Sequence, residues 1–240
     1  MEDPADHVPW AAEAARSEAL AALAATSFER TTLEDDLAEL CRILHGAASH
    51  LAAVSVTATL DDGSHTTAAS TSPAAREVDE LEYRLLEGPC VVAMHTGELQ
   101  LVTDTSEDGR WPRFAAAAAD RGFAAVAGIP LVVDGDGVGA LNLFAGDTLA
   151  PEDVELGQAL AGSVAALLAN GQAYRRAQRH ARRLRQALDE LAEVQQAVGV
   201  LVVTGGLSTE AAARSLRRRA EREGRGVRDV ARDVLRGVAD

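Results

Sequence analysis

From Pro151 the chain reads as one uninterrupted helix, PEDVELGQALAGSVAALLANGQAYRRAQRHARRLRQALDELAEVQQAVGVLV. Leu156, Leu160, Val164, Leu167, Gly171 and Tyr174, then Ala181, Leu184, Leu188 and Leu191, repeat mostly in steps of three and four, with one irregular joint near Ala177. A seam of that spacing predicts a coiled coil between two protomers, spanning 156–198. The segment RRAQRHARRLR (175–185) is expected on the exposed face of that coil. Whatever else the chain folds into must therefore lie before this rod or after it.

Charge divides the chain at the same place. Residues 1–170 hold 8 Arg and 28 Asp+Glu, a balance of −20, whereas 171–240 hold 15 Arg and 9 Asp+Glu, a balance of +6. An acidic body with a basic end points to a nucleic-acid or acidic partner at the C-terminal side. No apolar run approaches 18 residues, and Cys41 and Cys90 stand apart in the sequence; the expectation is a reduced, cytoplasmic protein with no membrane contact. The six His are scattered, so no metal site, catalytic group or cofactor is identifiable from spacing.

Ahead of the rod, residues 10–26 are Ala-rich and helical by propensity, which predicts an N-terminal helical extension over 1–29. Thr31 or Thr32, followed three residues on by Glu34 or Asp35, is a capping box for a helix whose apolar stripe is Leu33, Leu37, Leu40, Cys41 and Leu44. Cys41 lies within that stripe as a small buried hydrophobe. Strands are predicted over 53–60 and 65–71 around the turn DDGS, then over 99–102, 124–133 and 138–144. Helices are predicted over 78–86, 87–97 and 111–122. This order implies an α+β domain over 30–150, built on an antiparallel sheet flanked by helices.

The EGPC turn of 87–90, the RWP-x-F segment of 110–114, the strand carrying IPL at 129–131 and the strand VGALNLF of 138–144 together resemble a GAF domain. The resemblance implies a sensor module, often dimeric and usually without catalysis, that takes a small-molecule effector whose identity is unknown. It makes Cys90, Met94, Asp104 and Phe114 candidate pocket residues, and Cys90 a candidate for redox or ligand sensing.

Behind the rod, GGLS (205–208) ends one helix and Ser208 caps the next; GRG (224–226) ends that helix and VRDVARDVL begins a third. The run Gln196, Ala197, Gly199, Leu201, then Gly206, Ser208, Ala212, Leu216, Arg217, Ala220, Val230 and Ala231, resembles an ANTAR domain, the three-helix RNA-binding antiterminator module. The fold expected for the whole is a GAF sensor (30–150), a coiled-coil linker helix (151–185) and an ANTAR domain (186–240). Val198, Thr204, Ala213 and Gly224 depart from the family pattern.

With Ala212, Ala213, Leu216 and Ala220 facing the core, Arg214, Arg218 and Arg222 fall opposite at i, i+4, i+8, and Arg217 flanks the edge. These four, with Arg225, Arg228 and Gln196, are the candidate RNA-binding residues, since guanidinium suits phosphate. The resulting expectation is a non-enzymatic, homodimeric antitermination regulator whose partner is structured leader RNA. The alternative is a dimeric signalling module whose tail has lost RNA binding and acts through protein partners.

Overall fold

The computed structural model describes residues 32–48 and 50–237, so the expected helical extension over 1–29 lies outside the described residues. The chain forms two compact units, Met1–Ala173 and Tyr174–Asp240.

In the first unit, helix α1 (Leu33–Ala47) opens on a capping box formed by Thr32 and Asp35. Asp35 N donates to Thr32 Oγ1 (3.2 Å) and Thr32 N donates to Asp35 Oδ2 (3.1 Å). The expected stripe Leu33, Leu37, Leu40, Cys41 and Leu44 is buried. Strands β1 (Leu51–Thr59) and β2 (His65–Ser70) pair antiparallel. Helices α2 (Pro73–Leu85) and α3 (Pro89–Thr96), strand β3 (Gln100–Val102) and helix α4 (Pro112–Asp120) come next. Strands β4 (Ala125–Val133) and β5 (Asp136–Ala145) complete a five-stranded antiparallel sheet in the order β2-β1-β5-β4-β3. The β4–β5 turn puts Asp134 and Gly135 at φ 53° and 89°, the left-handed pair that matches strand twist in a two-residue hairpin.

Helix α2 begins at Pro73, five residues ahead of the start expected at 78. Proline lacks only a donor that the first helical turn leaves unused, and Ala74, Ala75 and Arg76 extend the helix from there.

Alternation along the strands gives the sheet two unlike faces. Val54 and Val56 of β1 and Leu141 and Leu143 of β5 meet α1 and the start of α5 (Pro151–Gly205) in one apolar core. On the other face, Ala53, Val126 and Phe144 pack with Val78, Phe114 and Phe123, while Ser55, Thr57 and Asn142 sit buried beside them as polar exceptions. Leu160, Val164 and Leu167 of α5 belong to the first core. The first half of the long seam is thus filled within its own chain, because sequence spacing does not distinguish a partner protomer from the chain's own sheet.

The second unit comprises the later turns of α5 with α6 (Thr209–Glu223) and α7 (Val227–Arg236). Ala197, Val198, Ala212, Leu216, Ala220, Val230 and Ala231 form its buried centre. Ser208 Oγ caps α6 by accepting from Ala211 N (3.3 Å), and Gly224 ends it at φ 61°. The left-handed cap is suited to glycine and frees α7 to fold back. Among the described residues, no single helix is long and apolar enough to cross a membrane.

Candidate functional site

On α6 the buried residues Ala212, Leu216 and Ala220 fix the inward face. Arg214, Arg218 and Arg222 therefore stand outward, four residues apart, about 6 Å per step along the axis. With Ala211, Ser215 and Glu221 they line an open groove of about 750 Å³. Arg217 bends back to donate to Ala213 O (3.4 Å).

The other candidates have different surroundings. Arg225 donates to Glu223 (3.1 Å) and Asp233 (2.6 Å), which ties the α6–α7 loop down. Arg228 donates to Glu193 (2.6 Å) and Glu190 (2.8 Å), and Arg232 also reaches Glu193 (3.1 Å), so both fasten α7 to α5. Those arginines hold the Glu193 carboxyl below the ordinary range. Gln196 is exposed on α5. Of the seven residues singled out in the sequence, Arg214, Arg218 and Arg222 share one open surface, while Arg225 and Arg228 are engaged by acids. Ser215 and Glu221 join the groove unforeseen, although their i+1 and i−1 placement beside Arg214 and Arg222 carries the signal.

Two of the departures from the family pattern are packing positions here. Val198 is buried and Ala213 packs against the same core. Thr204 donates back to Val200 O (2.8 Å) within its helix.

Further back on α5, every residue from Arg176 to Asp189 is exposed. Tyr174, Leu184, Leu188 and Leu191, the second half of the seam, are 55–64% exposed among the described residues. Residues 175–185 hold six Arg and no acid. Five Arg–Arg pairs at i+3 or i+4 (175–179, 176–179, 179–182, 179–183, 182–185) cost roughly 0.2–0.5 kcal/mol each, about 1–2.5 kcal/mol together.

In the first unit the polar exceptions on the sheet close into a hydrogen-bonded ring. Asn142 Nδ2 donates to Thr57 Oγ1 (3.0 Å) and to Asp79 Oδ1 (3.0 Å). Thr57 Oγ1 meets Tyr83 Oη at 2.7 Å, Tyr83 Oη meets Thr67 Oγ1 at 3.0 Å, and Thr67 donates to Asp79 Oδ2 (3.1 Å). Counting one proton per hydroxyl, the donors run Asn142 to Thr57 to Tyr83 to Thr67 to Asp79, so both arms end on one carboxyl. Ser55 Oγ lies 3.1 Å from Asn142 Nδ2 and Cys90 Sγ lies 3.3 Å from Thr57 Oγ1.

Burial raises Asp79 to about 7, against hydrogen bonds from Ser55, Thr67 and Asn142 and the charge of Arg76. Burial, with Asp79 adding to it, holds Glu82 well above the ordinary carboxyl value. Glu82 Oε1 accepts from Cys90 N (3.3 Å), and its carboxyl presses on Gly88, whose φ of 136° and missing Cβ admit it. That contact is the physical content of the EGPC turn. Burial, then the neighbouring Glu82 and Asp79, push the Cys90 thiol up as well; at 1% exposure it is held protonated. Burial likewise lifts Cys41 to about 12.

The four candidate pocket residues do not converge. Cys90 joins the ring, and Met94, one turn on, receives a hydrogen bond from Thr59 at 3.8 Å. Phe114 sits in the apolar cluster, and Asp104 is exposed, capping Ser106 N (2.7 Å) and Oγ (2.6 Å). Sequence reasoning missed Asp79, Glu82, Tyr83 and Asn142. VDELEYRLL is legible only as a helix; the α2–sheet packing turns Asp79 and Glu82 inward. Among the described residues no group of His, Cys, Asp and Glu is arranged to hold a metal.

A sandwich of helices on an antiparallel sheet with this interior matches the family model "GAF domain" over residues 34–169, and the chain belongs to the GAF family. Residues 182–235 match the model "ANTAR domain", so the architecture is a sensor-type domain followed by a domain of the RNA-binding antitermination class. No curated protein matches the chain. Among solved structures, the GAF domain of a phosphoenolpyruvate-protein phosphotransferase from Coxiella burnetii is similar at TM-score 0.53 and 19% identity, over 69% of this chain and 96% of that one. The corresponding Acinetobacter domain is similar at TM-score 0.52 and 12% identity, over 68% and 96%. A free methionine-R-sulfoxide reductase from Neisseria meningitidis, in complex with its substrate, is similar at TM-score 0.50 and 16% identity, over 68% and 90%. These likenesses define the fold.

Proposed function

We propose that this chain is a cytoplasmic, non-enzymatic transcription antitermination regulator. A small effector or state change in the GAF unit alters a homodimer, and the paired ANTAR ends hold structured leader RNA so that a terminator hairpin does not form. The dimer forms through the exposed half of the α5 seam, Tyr174 to Leu191. The single observation that supports RNA binding most is the outward stripe Arg214, Arg218 and Arg222, at about 6 Å per step, lining one open groove in an ANTAR domain. Guanidinium groups on that pitch offer a row of paired donors to successive phosphates.

The test is the salt dependence of RNA binding by the full chain and by the double variant Arg218→Ala, Arg222→Ala. Each lost phosphate contact lowers the slope of log affinity against log salt by roughly 0.7 on single strands. The variant is expected to bind more weakly with a slope shallower by about 1.4. An equal slope, with partners retained after RNase treatment, would instead favour the reading in which the tail acts through proteins.

A further inference from the structure

We propose that α5 carries a second polyanion-binding surface, centred on Arg182, Arg183 and Arg185, that grips the phosphate backbone of a base-paired RNA stem. The proposal rests on the RNA-binding reading above and adds a site outside the α6 groove. At about 100° per residue, Ala177, Ala181, Leu184, Leu188 and Leu191 fall within an arc of about 80°. Arg175, Arg176, Arg179, Arg182 and Arg183 fall on the opposite half of the helix and Arg185 at its margin. A second copy docked on the leucines therefore leaves the guanidinium groups facing outward.

Arg182, Arg183 and Arg185 are exposed and make no ion pair among the described residues. They fall within four residues, about 6 Å of axis, or one charge per about 2 Å. At about 100° per residue they fan over about 160° of the helix, Arg182 between Arg185 and Arg183, a cationic arc of opposite sign to a phosphate backbone. No Asp or Glu occurs anywhere from 156 to 188, so Arg182 and Arg183 have no acid within one helical turn, and Arg185 has only Asp189 at i+4. A solvated face on a long helix ordinarily interleaves both signs; this one does not.

The chemistry favours RNA over an anionic lipid surface. An interfacial helix needs a broad apolar face with large side chains to sink into the headgroups. Here the apolar arc is narrow, two of its five positions are alanine, and its leucines keep the three–four rhythm of a coil. The surface also belongs to the same compact unit as the Arg214 stripe. Contacts of this kind go to phosphate and carry no base information.

The experiment compares the full chain with Arg182→Gln, Arg183→Gln, Arg185→Gln, using two fluorescent hairpin RNAs that share a stem and differ in loop sequence. Glutamine keeps the helix, which circular dichroism and sedimentation verify. A triple Lys variant supplies the charge without the planar fork. Expected is a tenfold or greater loss of affinity at low salt and a slope shallower by about 2.7, at roughly 0.9 per duplex phosphate contact, equal for both hairpins, with most of the slope regained by lysine. If the Gln variant keeps the wild-type slope while Arg218→Ala, Arg222→Ala lowers it, this surface is overturned and the α6 groove stands. If the wild-type chain binds neither hairpin at any salt, both readings fall. Loss of binding to phosphatidylserine vesicles with an unaltered RNA slope would also overturn the proposal, in favour of a membrane surface.

Discussion

Replacing Asp79 with Asn is expected to flatten the pH dependence of stability of the GAF unit. The unfolded chain releases the Asp79 proton near the ordinary value of 3.8, and the folded chain retains it until about 7. Between those values the native state binds more protons, so its stability falls as pH rises. One proton is worth about 1.4 kcal/mol per pH unit, and the full interval amounts to about 4 kcal/mol. Asparagine removes that contribution. It leaves in place the titratable and charged neighbours that interact with position 79: Arg76, Glu82 and Tyr83 on α2, Cys90 on α3 and Cys41 on α1. The ring tolerates the amide because Thr67 can accept from it and turn its own proton toward Tyr83, reversing the direction of that arm.

Urea unfolding followed by Trp111 fluorescence, in a Trp10→Phe background and over a pH series from acid to neutral, gives the comparison. The stability of Asp79→Asn relative to its parent should climb by about 1.4 kcal/mol per pH unit between pH 4 and 7 and level off above. The constant cost of any imperfect hydrogen bond cancels in that difference. Parallel curves for the two proteins would refute the assignment of a buried, near-neutral Asp79.

Introducing Leu184→Asp with Leu188→Asp places charges on the exposed seam while leaving both compact cores untouched; on the proposed dimer, sedimentation should report a dimeric parent and a monomeric variant. The Cys90 thiol, protonated and enclosed by Thr57 and Glu82, should resist a thiol reagent at pH 8 in the native chain and react fully in denaturant; rapid native labelling would contradict the closed interior.

The elements that repeat strongly were legible from the sequence: α1 from its stripe and capping box, β4 and β5 from their apolar runs around Asp134–Gly135, and α6 from Ser208 to Gly224. Tertiary pairings were not. Thr57 and Thr67 read as ordinary β-branched strand residues, yet each is a relay in the buried ring. Arg228 read as an extension of a basic patch, and its partners Glu190 and Glu193 lie over thirty residues away, which local spacing cannot reveal. The α6 stripe was legible because one helix alone determines which residues oppose Ala212, Leu216 and Ala220.

The boundary between the two compact units falls inside α5, at Ala173 and Tyr174, with helix on either side. A join of that kind tolerates changes of length only in whole numbers of turns. Adding or removing seven residues between Arg176 and Asp189 rotates the C-terminal part of the helix by only about 20°, so the leucine seam stays in phase. Adding two rotates it by about 200° and puts the leucines out of phase with the preceding part of the seam. Exchange of this sensor for another is therefore a question of counting residues modulo the heptad, and a series of insertions would trace a periodic response in place of a graded one.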